Sequence, residues 1–177
     1  MAQKSNTSIM ELLKEIKDKD FPSDDSVLES RQASRAVLFD ENDLIPLLFV
    51  SKYNYHKLPG GGIDDSEDKA EALAREVKEE TGSEIEVTAE VGKIIEFRSK
   101  WNLKQTSYCY LGKVISKGNP DFTEKESRQG FKLVWLSLDE AISKIENDKP
   151  EDYEGSFIQK RDIVFLNKAR QITVSRL

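Results

Sequence analysis

Cysteine is nearly absent from the 177-residue sequence, in which Cys109 is the only one. An internal disulfide is therefore impossible, and nothing in the sequence indicates an oxidising compartment. The N-terminal residues contain no apolar core of secretory length, and no stretch approaches the roughly 18 apolar residues that a membrane-spanning helix needs. Internal repeats and low-complexity linkers are missing as well. These absences predict a soluble, cytoplasmic protein with no membrane partner.

Positive charge is in deficit. The chain has 27 Lys and Arg against 33 Asp and Glu, a formal net charge of -6 at pH 7. A nucleic-acid backbone requires a concentrated basic patch, so we expect no stable nucleic-acid binding. A small phosphorylated nucleotide remains a suitable partner, because bound divalent cations reverse the local field of an acidic site. With 37% hydrophobic and 34% charged residues, the composition is that of an ordinary globular protein.

The N-terminal segment is predicted to form a short amphipathic helix over residues 8–19. Ser8 and Glu11 have capping-box spacing, and apolar residues then recur at helical intervals before the break at Pro22. We therefore divide the chain into an N-terminal helical extension, residues 1–24, and a main domain, residues 25–177. The apolar faces of this helix and of the C-terminal helix would fit either a homodimer interface or packing within the chain.

The main domain alternates strand-like and helix-like segments. β-Branched, aromatic and aliphatic runs predict strands on both sides of a turn at residues 40–43, and again at residues 84–97, 106–116 and 130–138. Helical periodicity and caps predict helices at residues 66–81, 138–149 and 156–174. This order predicts a mixed α/β domain, with the order of the strands left open.

The first helix of the main domain carries a cluster of acidic residues. Ser66 is a suitable N-cap and Gly82 a natural stop. The expected apolar stripe is Ala70, Leu73, Ala74 and Val77. On this helix Glu76, Glu79 and Glu80 can converge, and their mutual repulsion makes sense chiefly when a cation neutralises it. Mg²⁺ is the expected cation, since it prefers oxygen ligands and couples carboxylates to phosphates. A solvated helix face is the alternative for an isolated acidic run.

The spacing of residues 60–83 is more specific than the charge alone. Three glycines come first, and fixed residues follow at fixed separations: Glu67, Arg75, Glu76, Val77, Glu79, Glu80 and Gly82. This pattern resembles the Nudix box, the signature of the Nudix (MutT-like) hydrolases, with Ser83 where the family usually has an apolar residue. The resemblance implies a Nudix fold, an α/β/α sandwich around a mixed β-sheet. It also implies a pyrophosphohydrolase that uses Mg²⁺ or Mn²⁺ to cleave a diphosphate linkage in a nucleoside diphosphate joined to another group.

The resemblance assigns metal binding to Glu76, Glu79 and Glu80. Arg75 lies one helical turn before Glu79, so a salt bridge between them would orient that carboxylate. A glycine loop lets the backbone approach the metals without side-chain obstruction, although a plain turn after a strand is the simpler interpretation. We assign this loop to substrate binding: Gly60, Gly61 and Gly62.

The residue that takes a proton from the attacking water is left open by the sequence. Glu76 is one candidate. Glu124 or Glu126 is the other, since a downstream acidic residue supplies a further carboxylate in many Nudix enzymes. The alternative for that segment is a solvent-exposed charged turn.

Substrate choice is the least specified property. Aromatic residues could stack on a base, although in strands they more often pack in a core. These residues are Tyr53, Tyr55, Phe97, Trp101, Tyr108 and Tyr110. Arg98, Lys100 and Lys104 could contact phosphates or simply be solvated, and Arg98 is our candidate for substrate binding. The expected substrate is a nucleoside triphosphate, oxidised or not, or a nucleotide sugar such as ADP-ribose. The alternative function is a non-catalytic nucleotide-sensing Nudix domain, which predicts a lost carboxylate or an attached DNA-binding domain.

Overall fold

The structure, a computed structural model, describes residues 9–18 and 28–175. The strands within these ranges are β1 (Leu12–Lys17), β2 (Glu29–Phe39), β3 (Leu44–Val50), β4 (Tyr55–Lys57), β5 (Gly60–Gly62), β6 (Glu84–Arg98), β7 (Leu103–Ser116) and β8 (Phe131–Ser137). The α-helices are α1 (Lys69–Thr81), α2 (Glu124–Arg128), α3 (Leu138–Asn147) and α4 (Tyr153–Val174). A short 3-10 turn, Ser99–Trp101, joins β6 to β7.

The described strands form two sheets. The larger has the order β1-β6-β7-β2-β5, and the smaller has the order β4-β3-β8. In the larger sheet β1 runs parallel to β6 and β2 parallel to β7, whereas its other pairs are antiparallel. Successive side chains of a strand point to opposite faces. Accordingly, Ala36 and Leu38 of β2 pack with α1, while Val37 faces the main core with α3 and α4. The predicted mixed α/β fold, with helices on both sides of a mixed sheet, is confirmed.

The predicted N-terminal helix is wrong for the residues that the structure describes. Leu12–Lys17 form β1, an edge strand of the larger sheet that pairs with β6. Ile16 is buried and Leu13 lies against Gly92, where an added Cβ would come within 2.6 Å of the Leu13 side chain. The long β6 offers its unpaired edge to this segment, and backbone pairing there outweighs the helical spacing of the apolar residues. Ser8 and residues 19–24 lie outside the described residues.

The strands and helices predicted for the main domain agree with the structure apart from small shifts at their ends, whereas β4, β5 and α2 were not predicted. The N-cap of α1 is Asp68 instead of Ser66: its side chain accepts from the amides of Ala70 and Glu71, both at 2.8 Å. Gly82 ends this helix in the left-handed conformation, with φ 70°. The helix α4 begins at Tyr153, three residues earlier than expected. Within the described ranges, none of the helices combines the length and the apolarity needed to cross a membrane.

Candidate metal centre and substrate cleft

The three glycines form the short strand β5, which lies between β2 and α1. Gly60 pairs with Arg35 and Gly61 with Ser34 in the antiparallel register. The φ angle of Gly60 is 131°, and a Cβ at Gly61 would lie 2.4 Å from the carboxyl carbon of Glu76. A Cβ at Gly60 would therefore meet the backbone of β2, and one at Gly61 would displace the end of the Glu76 side chain. The segment predicted as a loop is a strand whose small residues let the backbone touch the acidic helix.

Leu73 and Val77 fix the orientation of α1 on the sheet, whereas Ala70 and Ala74 of the expected stripe are exposed. In this orientation Glu80 is turned inward and is only 1% exposed. Its Oε2 accepts from the amide of Gly60 at 2.7 Å, and its Oε1 accepts from Lys57 Nζ. Burial raises the pKa of Glu80, although Lys57 and the Gly60 amide act in the opposite direction.

Arg75 orients Glu76, not Glu79 as predicted. Its Nη1 donates to Glu76 Oε1 at 2.8 Å, and its Nη2 donates to Glu67 Oε2 at 2.9 Å and to the carbonyl of Gly62 at 3.2 Å. Nε bonds the other oxygen of Glu67, so the guanidinium is held by a two-point pair. These bonds, with the amide of Asp64, lower the pKa of Glu67 to about 2. Arg75 thereby links the segment before α1 to the helix.

Three carboxylates converge above the glycine strand. Glu76, Glu80 and Glu126 each offer one oxygen, and these oxygens lie within 4.8 Å of one another. Glu126 is brought there by α2, where its carboxylate also accepts from the amide of Thr123 at 2.8 Å. Glu124 is exposed and pairs with Arg128. Of the two downstream acids considered from the sequence, the structure places Glu126 at the cluster.

The donor set suits a hard divalent cation. Carboxylate oxygens are the ligands that Mg²⁺ and Mn²⁺ prefer, and three of them in a partly buried cleft repel one another unless a cation is present. Glu79 is not among the three converging oxygens. Burial raises its pKa, with Glu76, Glu126 and Asp121 adding to the effect. Its carboxylate is thus near the cluster, and its role as a ligand stays a prediction.

A cleft of about 180 Å³ opens over this cluster. Basic side chains line it together with the carboxylates: Arg31, Arg35, Lys57 and Lys125. A larger groove of about 500 Å³ runs beside α1 past Leu73 and Tyr110, but it contains none of the converging carboxylates. The smaller cleft is therefore the candidate site, and its mixture of acids and bases suits a cation together with phosphate groups.

The basic residues of the cleft were missed in the sequence. Arg31 and Arg35 are four apart on β2, so a strand places them on the same face. Both arginines lie beside the glycine strand, because β2 pairs with it and Arg35 is opposite Gly60 in the sheet. Lys57 stands three residues before the glycines. The spacing of the two arginines was a usable signal, whereas the position of Lys125 depends on how α2 packs.

Arg98 does not contact the cleft as a predicted phosphate ligand. Its side chain is 1% exposed and bonds Glu96 at 3.0 Å and Glu154 at 3.4 Å. The guanidinium also lies over the rings of Trp101 and Phe157, at 5.3 and 5.4 Å from their centroids. Glu96 and Arg98 point to the same inner face of β6, and a buried carboxylate requires a cationic partner. The prediction of substrate binding by Arg98 is wrong in this structure.

A buried network of charges supports the glycine strand from below. Arg161 bonds Glu96 at 3.4 Å and Asp162 at 2.7 Å, all three being fully buried. Asp162 accepts from the amide of Leu58 at 2.8 Å, and Arg35 donates to the carbonyl of Gly60 at 2.9 Å. Burial lowers the pKa of Arg35 to about 10, with Arg161 acting in the same direction. This network fixes the backbone that enters the site.

The aromatic residues considered for stacking differ in exposure. Trp101 is 46% exposed, Tyr55 and Phe97 are buried, and the remaining three are half-buried. Trp101 packs edge-to-face on Tyr153 with ring centroids 5.2 Å apart. Of the six, Trp101 alone is exposed.

These features together define a mixed α/β domain that presents converging carboxylates to a cleft lined with cations. The family model described as NUDIX domain matches residues 29–156, and the chain belongs to this family. Nudix enzymes hydrolyse pyrophosphate linkages in nucleoside diphosphate derivatives and generally use divalent metals.

Individual relatives agree with this assignment. Nudix hydrolase 7 of Arabidopsis thaliana is 32% identical over 60% of this chain and 36% of its own length. Diphosphoinositol polyphosphate phosphohydrolase 2 of Rattus norvegicus is 27% identical over 69% of this chain and 65% of its own length. The chain thus spans about a third of one relative and just under two thirds of the other. The crystal structure of a MutT protein from Methanosarcina mazei Go1 shares the fold, with a TM-score of 0.56 and 20% identity over 81% of this chain and 96% of that chain.

Proposed function

We propose that this protein hydrolyses the pyrophosphate linkage of a nucleoside diphosphate derivative with the aid of Mg²⁺ or Mn²⁺. The observation that carries the proposal is the convergence of Glu76, Glu80 and Glu126 within 4.8 Å, directly above the glycine strand. A cluster of this kind in a cleft with Arg31 and Lys125 suits a diphosphate that is held between metal and cations.

The metal ligands of the proposal are Glu76, Glu80 and Glu126. A cation held there would neutralise charge on the phosphate oxygens and lower the pKa of water. The protein's own contribution is to fix these ligands: Arg75 holds Glu76, and the amide of Gly60 holds Glu80. Fixed ligands lose little freedom on reaching the transition state, which is where positioning contributes to rate.

The remaining side chains of the cleft are assigned to substrate and proton. Arg31 and Lys125 would donate to phosphate oxygens, Arg31 from above Gly62. Glu79 is our candidate for the general base, because it is a carboxylate beside the three ligands whose pKa burial raises. Alternatively, Glu79 would act as a fourth metal ligand, which is the role that the resemblance to the Nudix box implies.

The test is a substrate panel with and without Mg²⁺, followed by ³¹P NMR of the products. The panel holds nucleoside triphosphates, an oxidised purine triphosphate, ADP-ribose and other nucleotide sugars. A diphosphoinositol polyphosphate joins it because of the rat relative's name. We expect metal-dependent cleavage of one class, abolished in Glu76→Gln and retained in Glu124→Gln. Absence of turnover on every compound by folded protein would overturn the proposal.

The competing function, nucleotide sensing without cleavage, has a separate signature. Calorimetry would show tight binding of a panel compound, and the compound would be recovered unchanged after incubation with Mg²⁺. The chain keeps Glu76, Glu79 and Glu80. Their presence favours catalysis over sensing, because a sensing domain has no need of a full set of metal-binding carboxylates.

A further inference from the structure

Lys57 lies inside the proposed metal centre. The residue is 8% exposed, at the end of β4 and three residues before Gly60. Its Nζ donates to Glu80 Oε1 and to the carbonyl of Gly60 at 3.2 Å, and it lies 5.2 Å from the centroid of the Phe131 ring. An ammonium group in such a place depends on these partners, because burial removes it from bulk water.

Both oxygens of Glu80 are engaged by protein donors. Oε1 accepts from Lys57 and Oε2 accepts from the amide of Gly60. Glu80 is at the same time one of the three carboxylates whose oxygens converge. A divalent cation that binds there meets a positive charge bonded to the same carboxylate. The two cations repel each other strongly in a cleft where the dielectric constant is low.

The cationic partner of Glu76 is held differently. Arg75 is fixed by a two-point pair with Glu67 and by the carbonyl of Gly62, so its guanidinium stays in place when a metal binds. Lys57 is a point charge on a flexible four-carbon stem. Of the two cations that form ion pairs with these carboxylates in the described part of the chain, Lys57 is the one whose charged group can move away from its carboxylate.

We propose that Lys57 is a built-in counter-ion of Glu80 that competes with the divalent cation. It holds the carboxylate in place in the metal-free protein, and its Nζ must leave Oε1 before the cation binds. The inference rests on the proposed metal site. It makes Lys57 a positioning residue that sets metal affinity, a role separate from contact with substrate.

The test measures Mn²⁺ affinity by the EPR signal of free Mn²⁺, in the absence of substrate and at one fixed pH for all proteins. Lys57→Gln keeps a donor for Glu80 but removes the charge. We expect it to bind Mn²⁺ roughly tenfold tighter than the original protein, since breaking a hydrogen bond between charged groups costs at least that factor. Lys125→Gln removes the same charge from the same cleft and should change the affinity less than about twofold.

The outcomes separate the inference from the proposed function. Mn²⁺ binding by the original protein with equal or weaker binding by Lys57→Gln would overturn the counter-ion role and leave the metal site intact. Failure of the original protein to bind Mn²⁺ at all would overturn the metal site and the inference with it. If Lys57→Gln and Lys125→Gln gained Mn²⁺ affinity equally, the gain would come from the overall charge of the cleft, and the inference would be overturned.

Thermal melting supplies the second readout. In EDTA, Lys57→Met should melt roughly 5 °C or more below the original protein, because Glu80 loses its buried partner, and Lys57→Gln should melt less far below it, because the amide still donates to Glu80. Mg²⁺ should raise the Tm of both variants more than that of the original protein, since the metal then supplies the missing charge. If Mg²⁺ raised the Tm of all three proteins equally, replacement of Lys57 by the metal at Glu80 would be contradicted. Lys57→Gln keeps the experiment decisive if Lys57→Met does not fold.

Discussion

Two clusters of charge meet at the glycine strand, and they differ in how completely their charges are paired. The buried network joins three arginines, Arg35, Arg98 and Arg161, to the buried acids Glu96 and Asp162 and to half-buried Glu154. In the cleft, Glu76 bonds Arg75 and Glu80 bonds Lys57. Among the described residues Glu79 and Glu126 form no ion pair, so the cleft, which opens to solvent, holds unpaired carboxylates.

The buried network supports the fold, whereas the cleft carries the proposed function. In the buried network each carboxylate bonds an arginine, and two members also bond the backbone of Leu58 and Gly60. The network is buried at a large desolvation cost, which these pairs offset only in part, because Arg35 Nε, Arg98 Nε and Arg161 Nη2 have no hydrogen-bond partner among the described residues. Within the described ranges, two of the four cleft carboxylates, Glu79 and Glu126, form no ion pair. Their unpaired charge is the physical reason for expecting a bound cation there, and the network below explains how the ligands keep their places.

The largest effect is expected where the buried network is broken. Arg161→Met leaves Glu96 and Asp162 buried without their shared partner, so it should lower the free energy of unfolding by about 3–5 kcal/mol. Urea denaturation measures this. Arg170→Met removes an arginine from the same helix that bonds exposed Asp139, and it should cost less than about 1 kcal/mol. Similar losses of unfolding free energy in the two variants would contradict the conclusion that the buried network supports the fold more than a surface ion pair does.

The cleft should respond to mutation in the opposite way. Glu76→Gln should lower kcat by more than the ~10²-fold that loss of an outer-sphere metal partner costs. Its stability should stay within about 0.5 kcal/mol or increase, because one of several repelling charges is gone. Glu124→Gln, on the exposed face of α2, is the matched control for both measurements. If Glu76→Gln lost much stability but no activity, the cleft would be a structural site and not a catalytic one.

A smaller effect is expected from closing the gap between the glycine strand and the helix. Gly61→Ala places a Cβ 2.4 Å from the carboxyl carbon of Glu76, so this ligand must move. We expect a drop in kcat/KM of roughly tenfold to 10²-fold with the fold retained. Gly62→Ala meets only the flexible end of Arg31 at 3.0 Å, so it should raise KM through that phosphate contact and leave kcat within about twofold. Steady-state kinetics of the two variants make the comparison, and equal rates would refute the close-approach argument.

The smallest effect concerns acid stability at the rim of the cleft. Arg75 lowers the pKa of Glu67 from 4.5 to about 2. Since the folded pKa is the lower one, the contribution of this pair is fully present above about pH 5 and is lost as the pH falls through about 2. Glu67→Gln should therefore melt roughly 1–2 °C lower at neutral pH, and the difference should vanish near pH 2. Glu86→Gln, an exposed change on β6, is the control, and its Tm difference from the original protein should not depend on pH in this way. If the Tm difference of Glu67→Gln were the same at every pH, the stabilising role of the Arg75–Glu67 pair would be contradicted.

The main-domain elements were predictable because their signals are local. Alternating or apolar runs bounded by turns became β2, β3, β6, β7 and β8, and Gly82 stopped α1 where a left-handed residue was expected. The N-terminal segment had helical spacing over too few residues to form a stable helix alone. Its structure is decided by the free edge of β6, which lies about 80 residues further along the chain.

The site was predictable only in part, for the same reason. Helical spacing alone brings Glu76 and Glu80 together, so the sequence sufficed for these two. The choice of Glu126 over Glu124 depends on how α2 packs. Arg98 was taken for a phosphate contact because its burial between Glu96 and Glu154 depends on how β6 and α4 pack, which spacing does not show. Lys57 was overlooked, since nothing local shows that it bonds Glu80.

The central claim is that Glu76, Glu80 and Glu126 together hold a divalent cation. Anomalous diffraction from crystals soaked in Mn²⁺ tests it most directly, because the scattering peak identifies both the metal and its ligands. We predict one peak bonded to an oxygen from each of the three carboxylates, with Lys57 Nζ displaced from Glu80. Saturating Mn²⁺ with no peak among these carboxylates, and Lys57 still bonded to Glu80, would contradict the account.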